Sequence, residues 1–123
     1  MKNLFIFLLF FAANCNLALA NMEPIVVQNG GAAHDHSGNP IVPADQPDVY
    51  YDSATQSIII DGSGCVSYYD VEITSLSSWT VYVSTQVSGY YDTIDISSLP
   101  QDDYVITIDS PLGNSYEGFF GTY

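Results

Sequence analysis

Five aspartates, Asp92, Asp95, Asp102, Asp103 and Asp109, fall within one short stretch of this chain. Carboxylates are hard oxygen donors, and calcium takes six to eight oxygens, which loops at one end of a β domain can supply. Asp92, Asp95, Asp102 and Asp103 are therefore the candidate calcium ligands. Their spacing matches neither an EF-hand loop nor a Gly/Asp-rich calcium repeat. Asp102-Asp103 after Pro100 also suits ordinary turn chemistry. His34-Asp35-His36 is the one His-x-His in the chain. In an extended backbone both rings point the same way and could hold zinc or copper, given two further ligands. No closing pair of Cys or His accompanies it.

Other chemistry finds less support. Two carboxylates at a suitable separation can hydrolyse a glycoside, but among fourteen Asp and Glu some pair always has that separation. A Ser-His-Asp hydrolase needs its His on a rigid scaffold, and both His sit in a Gly- and Pro-rich stretch. Cys65 has no Lys or Arg to depress its pKa and no nearby His, so it is expected to be packed or inert. No enzyme is expected, and no cofactor other than calcium. The aromatic residues offer a binding role instead. Strand alternation turns some of the tyrosines outward, and exposed rings give large, rigid, amphipathic contacts. Trp79, Tyr82 and Tyr91 are the candidates for contact with a protein or glycan partner. Core and cross-strand packing is the competing use of the same residues.

Charge narrows the partners. Lys2 is the single Lys or Arg, and all fourteen acids lie beyond residue 20. No carboxylate there can face a Lys or Arg of its own chain. Each must be hydrated, accept hydrogen bonds, or hold an external cation. Nucleic acid is excluded as a partner, because phosphate recognition needs Lys or Arg to displace counterions. An anionic membrane surface is disfavoured for the same reason.

The elements that must position these residues follow in chain order. Residues 1–20, MKNLFIFLLFFAANCNLALA, combine Lys2, a short apolar run and the small-x-small ending Ala18-Leu19-Ala20. This is the pattern of a secretory signal peptide cleaved near Ala20, so the chain is expected to be secreted, periplasmic or at the cell envelope, with no transmembrane segment. Lipidation at Cys15 would want a small residue before the cysteine, and Asn14 stands there. Residues 21–47 read as a flexible leader, with Ile41-Val42 between two prolines as a possible edge strand.

Residues 48–123 read as the β domain. Strands are expected at 48–51, 57–61, 68–75, 79–87, 94–96, 104–108 and 115–122. Ile58 and Ile60 share a face, as do Tyr69, Val71 and Ile73. So do Tyr104, Ile106 and Ile108. Val81, Val83 and Val87 are expected inward and Tyr82 outward. Gly118 and Gly121 inside the last strand suggest a bulge or a close backbone approach. About seven strands with turn signals every eight to twelve residues predict an all-β, immunoglobulin-like antiparallel β-sandwich.

The series Tyr50-Tyr51, Ser57-Ile58-Ile59-Ile60, Val71-Glu72-Ile73, Val81-Tyr82, Ile94-Asp95-Ile96-Ser97-Ser98-Leu99-Pro100, Tyr104-Val105-Ile106-Thr107-Ile108 and Gly113-Asn114-Ser115-Tyr116-Glu117-Gly118-Phe119-Phe120 resembles a family of small secreted proteins of Bacteroidetes-type bacteria, a domain of unknown function. The resemblance covers residues 45–123 and implies one immunoglobulin-like sandwich at the envelope or outside the cell. Two links depart from the family pattern: Leu76-Ser77-Ser78-Trp79, and Gln101-Asp102-Asp103 before the tyrosine. The run from Ile96 to Ile108 is also similar to C-terminal sorting domains that route cargo through the outer membrane, although those carry basic residues near their end. The expected function is a non-catalytic structural or binding module. A calcium-binding acidic domain and a secretion-sorting module are the alternatives.

Like charges brought together by folding oppose the compact state. The melting temperature is therefore expected to rise with NaCl as screening sets in at about 0.15 M. Thermal melts in EDTA, in millimolar calcium and in NaCl of matched ionic strength check this. A rise specific to calcium would assign Asp92, Asp95, Asp102 and Asp103 to a cation site. A flat response would show that the acids are already neutralised locally.

Overall fold

The computed structural model describes residues 22–29 and 42–123, all in strands, turns and loops. Among the described residues nine strands form: β1 (Met22–Ile25), β2 (Gln28–Asn29), β3 (Asp48–Asp52), β4 (Ser57–Asp61), β5 (Tyr68–Ser75), β6 (Val81–Ser88), β7 (Tyr91–Asp95), β8 (Asp103–Asp109) and β9 (Ser115–Gly121). They make two antiparallel sheets, ordered β1-β3-β4-β7 and β2-β9-β8-β5-β6. The expected signal peptide, Cys15, the His34-Asp35-His36 motif and Ile41 lie outside the described residues. No helix among the described residues is long and apolar enough to cross a membrane.

Alternation builds the core as the sequence suggests. Ile58, Ile60, Tyr69, Val71, Ile73, Ile94, Tyr104, Ile106, Ile108 and Tyr116 are buried between the sheets. An aromatic line crosses the layers at one end. Tyr51 of β3 stacks on Phe120 of β9 at 5.8 Å, and Phe120 stacks on Tyr104 of β8 at 5.5 Å. The Tyr104 hydroxyl donates back to the Pro100 carbonyl, which fastens the corner between β7 and β8.

Two expectations need correction. Residues 22–25 and 28–29 are strands rather than leader. β1 pairs with β3 and β2 with β9, so the chain changes sheets at Val26-Val27. Val42 lies in a loop, and the edge strands described in this part of the chain are Met22–Ile25 and Gln28–Asn29. The crossing explains Gly118: a Cβ there would stand 2.8 Å from Ile25 Cγ2 and 2.9 Å from Val27 Cγ1. The second correction concerns β6. The register shifts between Ile73 and Thr74, so Ile73 faces Val83 while Thr74 faces Val81. Tyr82 is the extra residue of this bulge. Val81 consequently turns outward and is exposed, and the Tyr82 ring packs edge-on against Tyr104 at 6.2 Å.

The loop before β3 carries the deepest charge. Asp45 is 1% exposed. Its carboxylate accepts hydrogen bonds from the Ser110 and Tyr116 hydroxyls and from Asn114 Nδ2 at 3.0 and 3.1 Å. Its main-chain carbonyl accepts the Tyr69 hydroxyl at 2.7 Å. Burial by itself would raise the Asp45 pKa. The combined hydrogen bonds from Ser110, Tyr116, Asn114 and its own amide outweigh burial and hold it below the ordinary value. Tyr116 is pushed well above its ordinary range, by burial first and by the Asp45 hydrogen bond second.

A depressed folded-state pKa gives stability that is complete above the unfolded value and is lost as pH falls through the folded one. The acid limb of the melting profile should therefore begin below about pH 4. Asp45→Asn sets an amide donor against three donors, and should cost about 3 kcal/mol at neutral pH while making the acid limb shallower. Thermal melts of both proteins across pH 2–7 measure this. An unchanged acid limb would remove Asp45 as its cause.

Candidate functional site

Hydrogen bonding fixes the end of the sandwich where β5 turns into β6. Asp102, just before β8, reaches across to this turn. Its Oδ2 accepts the Ser75 hydroxyl at 2.7 Å and also the Ser77 hydroxyl. Ser75 Oγ accepts the Ser78 amide at 3.2 Å, and the Leu76 amide donates to the Asp103 carbonyl at 2.9 Å. The Asp102 amide donates to Thr122 Oγ1 at 3.1 Å, tying in the end of β9. The hydrogen bonds from Ser75, Ser77 and the Asp103 amide hold the Asp102 carboxyl below its ordinary range.

This scaffold presents aromatic rings. Trp79 closes the turn, its amide donating to the Ser75 carbonyl at 2.9 Å, and is 71% exposed. Its φ of 57° lies in the left-handed region, where a bulky side chain is strained. Tyr82 follows at 42% exposure, half committed to Tyr104. Tyr123 is exposed beside Gly121 and Asp103. The Tyr104 phenol is raised by burial first, then by Asp102, Tyr82 and Tyr123 nearby. Trp79, Tyr82 and Tyr123 thus rim one end of the molecule. Tyr123 was missed in the sequence because only folding returns the chain end to the corner.

Tyr91, 58% exposed, lies elsewhere. It opens β7 at the far end of β6, separated from Trp79 by the eight residues of that strand. Its neighbour Tyr90 lies against Gly64, close to the exposed Cys65 thiol. Cys65 was expected to be packed or inert, and the turn that carries it faces it to solvent, which removes packing as its role. The three aromatic candidates therefore form two separate sites.

The four candidate calcium ligands are also divided. Asp92 and Asp95 lie on β7 in one sheet, about 10 Å apart along the strand. Asp102 and Asp103 stand at the start of β8 in the other. Asp92 accepts the amides of Ser88 at 3.0 Å and Thr93 at 2.9 Å. Asp95 accepts the Ser97 amide at 2.9 Å, which with the Ser97 hydroxyl lowers its pKa. Among the described residues, no three His, Cys, Asp or Glu side chains gather where a metal ion would sit.

No family model and no curated protein matches the sequence. The fold does have a solved relative in shape. A crystal structure of a DUF3244 family protein from Bacteroides vulgatus ATCC 8482, described as an immunoglobulin-like β-sandwich, superposes with a TM-score of 0.63 at 14% identity, covering 83% of this chain and 99% of that one. This chain is an immunoglobulin-like β-sandwich. The family resemblance read from residues 45–123 accordingly holds at the level of fold, which this chain shares with that DUF3244 protein. In an immunoglobulin-like sandwich the Tyr104–Pro100 bond is a tyrosine corner. It forms here although Gln101-Asp102-Asp103 precedes the tyrosine.

Trp79 gains nothing from its backbone conformation, because glycine would adopt it without strain. Trp79→Gly is expected to leave the fold intact and to stabilise it by up to about 1 kcal/mol. Calorimetry measures this. A clear loss of stability would mean that the ring serves packing.

Proposed function

We propose that this chain is an exported, non-catalytic binding module of the bacterial envelope, and that its contact surface is the rim formed by Trp79, Tyr82 and Tyr123. One observation carries the reading. An indole is kept exposed, in a strained backbone, on a turn clamped by Asp102, Ser75 and Ser77. Strain at an exposed aromatic residue points to a use outside the fold. The perturbed carboxyls Asp45, Asp95 and Asp102 are each spent on hydrogen bonds that hold loops, which accounts for their shifts without catalysis. An exposed Trp ring on the same rim as two tyrosines suits the apolar face of a sugar or a protein side chain. Export rests on the signal-peptide pattern of residues 1–20, with cleavage near Ala20.

Trp79 is the only tryptophan, so its emission reports on this rim directly. Titration with envelope glycans and proteins is expected to blue-shift that emission for the true partner. Trp79→Ala or Tyr82→Ala should weaken binding about tenfold or more, as hot-spot aromatics do. Tyr91→Ala, at the other end, should have little effect. N-terminal sequencing of the exported protein should begin at Asn21. Retention of residues 1–20, or binding indifferent to both rim substitutions, would overturn the reading.

A further inference from the structure

Four strands form the edges of the two sheets among the described residues: β1 and β7 in one, β2 and β6 in the other. Exposed edges offer unpaired N–H and C=O groups to any passing strand, and charges, prolines or short length usually guard them. β1 carries Glu23 and Pro24, β2 has two residues, and β7 carries Asp92 and Asp95. β6 has no such guard along its centre. It runs for eight residues, VYVSTQVS, without a charge or a proline. The bulge at Tyr82 disturbs its start, and Asp92 takes the Ser88 amide at its end. Val83, Ser84, Thr85, Gln86 and Val87 remain as an open run with strong β preference.

The surface behind this edge selects what can add to it. On the outer face Ser84 is paired with Glu72, and Gln86 with Asp70. Asp70 is paired in turn with Asp109. A shallow cavity of about 200 Å³ is lined by Asp70, Val71, Glu72, Ser84, Thr85 and Asp109. It opens beside the edge and holds three carboxylates. Ser84 is too short to cover Glu72. A strand added to β6 would lie two strand spacings from β5, about 10 Å, a gap that a lysine or arginine can span by laying its stem over Ser84. The chain has no Lys or Arg beyond Lys2 to fill this role, so a second copy adding through its own β6 would bring no cation to these carboxylates.

We infer that the open run of β6 accepts, by antiparallel strand addition, an extended segment of a partner protein bearing Lys or Arg at alternate positions. The main-chain ladder supplies affinity and the cavity supplies selection for charge. The inference rests on the reading of this chain as a binding module, but uses a surface separate from the Trp79 rim.

The test uses the purified protein expressed from its full sequence. The probe is a fluorescent peptide of about seven residues alternating Lys with Thr or Val, long enough for one strand. Two further peptides carry N-methyl groups on opposite sets of alternate amides. Anisotropy should show binding by the parent peptide and by one methylated form. The other form should bind about tenfold or more weakly, because its methyl groups block the ladder. Ser84→Lys, an exposed edge substitution, should weaken the parent peptide about tenfold, and a Glu-for-Lys peptide should not bind. Equal binding by both methylated forms would mean attraction by charge alone and would overturn strand addition. So would no binding by the parent peptide, or self-association through β6 that Ser84→Lys abolishes while the peptide does not bind. Trp79→Ala should leave peptide binding unchanged. Loss of the peptide effect with retention of rim-dependent binding would end this inference and leave the binding-module reading standing.

Discussion

A buried carboxylate held by neutral donors governs how this sandwich is closed. Taking a charge out of water is tolerable only when donors replace the hydration shell. Asp45 finds them in Ser110, Asn114 and Tyr116, all neutral and all at the β8–β9 end of the five-stranded sheet. Its own carbonyl accepts Tyr69 from β5. The next residue, Gln46, donates to the Val27 carbonyl at 3.0 Å, where the chain changes sheets. One loop thus joins the crossing between β1 and β2 to three strands of the opposite sheet. The same chemistry recurs in smaller form wherever an acid meets a turn. Asp52 accepts the Ala54 amide at 3.0 Å, Asp61 the Ser63 amide at 3.3 Å and Asp95 the Ser97 amide at 2.9 Å. A domain almost without cations uses its carboxylates as acceptors for orphan backbone donors.

The legible and illegible parts of the fold divide along the same physical line. Period-two alternation is local, so Ile58 with Ile60, Tyr69 with Val71 and Ile73, and Tyr104 with Ile106 and Ile108 declared their buried faces before folding. Gly118 could be read as a close approach because a missing side chain inside a strand calls for a reason. Asp45 could not be read, because its donors lie 65 to 71 residues away and nothing local distinguishes it from a loop aspartate. β1 and β2 were hidden by their length and by Pro24, since each is defined by its partner strand rather than by its own pattern. The faces of Val81 and Tyr82 were misread for a related reason. A single extra residue shifts the phase of alternation, and only pairing with β5 reveals where it sits.

That bulge also connects the core to the surface. Without it Tyr82 would stand on the outer face. With it, the ring reaches Tyr104 past Ser75, the smallest side chain in its row, which is fully buried. Ser75 serves twice, leaving space for the ring and donating to Asp102. The aromatic line Tyr51, Phe120, Tyr104 and Tyr82 therefore runs from the inner strand β3 of one sheet to the edge of the other and emerges at the rim. Trp79 and Tyr123 flank its exposed end. The candidate binding positions Trp79, Tyr82 and Tyr91 are all exposed rings. Only the folded order of strands separates Trp79 and Tyr82 from Tyr91.

Charge then explains why the surface is arranged as it is. In a chain with both signs, an exposed strand edge can be guarded by lysine and an exposed acid can find a partner within the molecule. Here neither is available. Acids guard β1 and β7, and four carboxylates on the outer face of the five-stranded sheet, Asp70, Glu72, Asp109 and Glu117, stand in adjoining rows with no Lys or Arg of their own. Repulsion between such faces opposes association of the domain with itself, whereas a basic segment meets attraction together with an unguarded ladder at β6. The sign asymmetry that makes the fold rely on neutral donors inside is thus the same property on which the proposed selection of a basic partner rests.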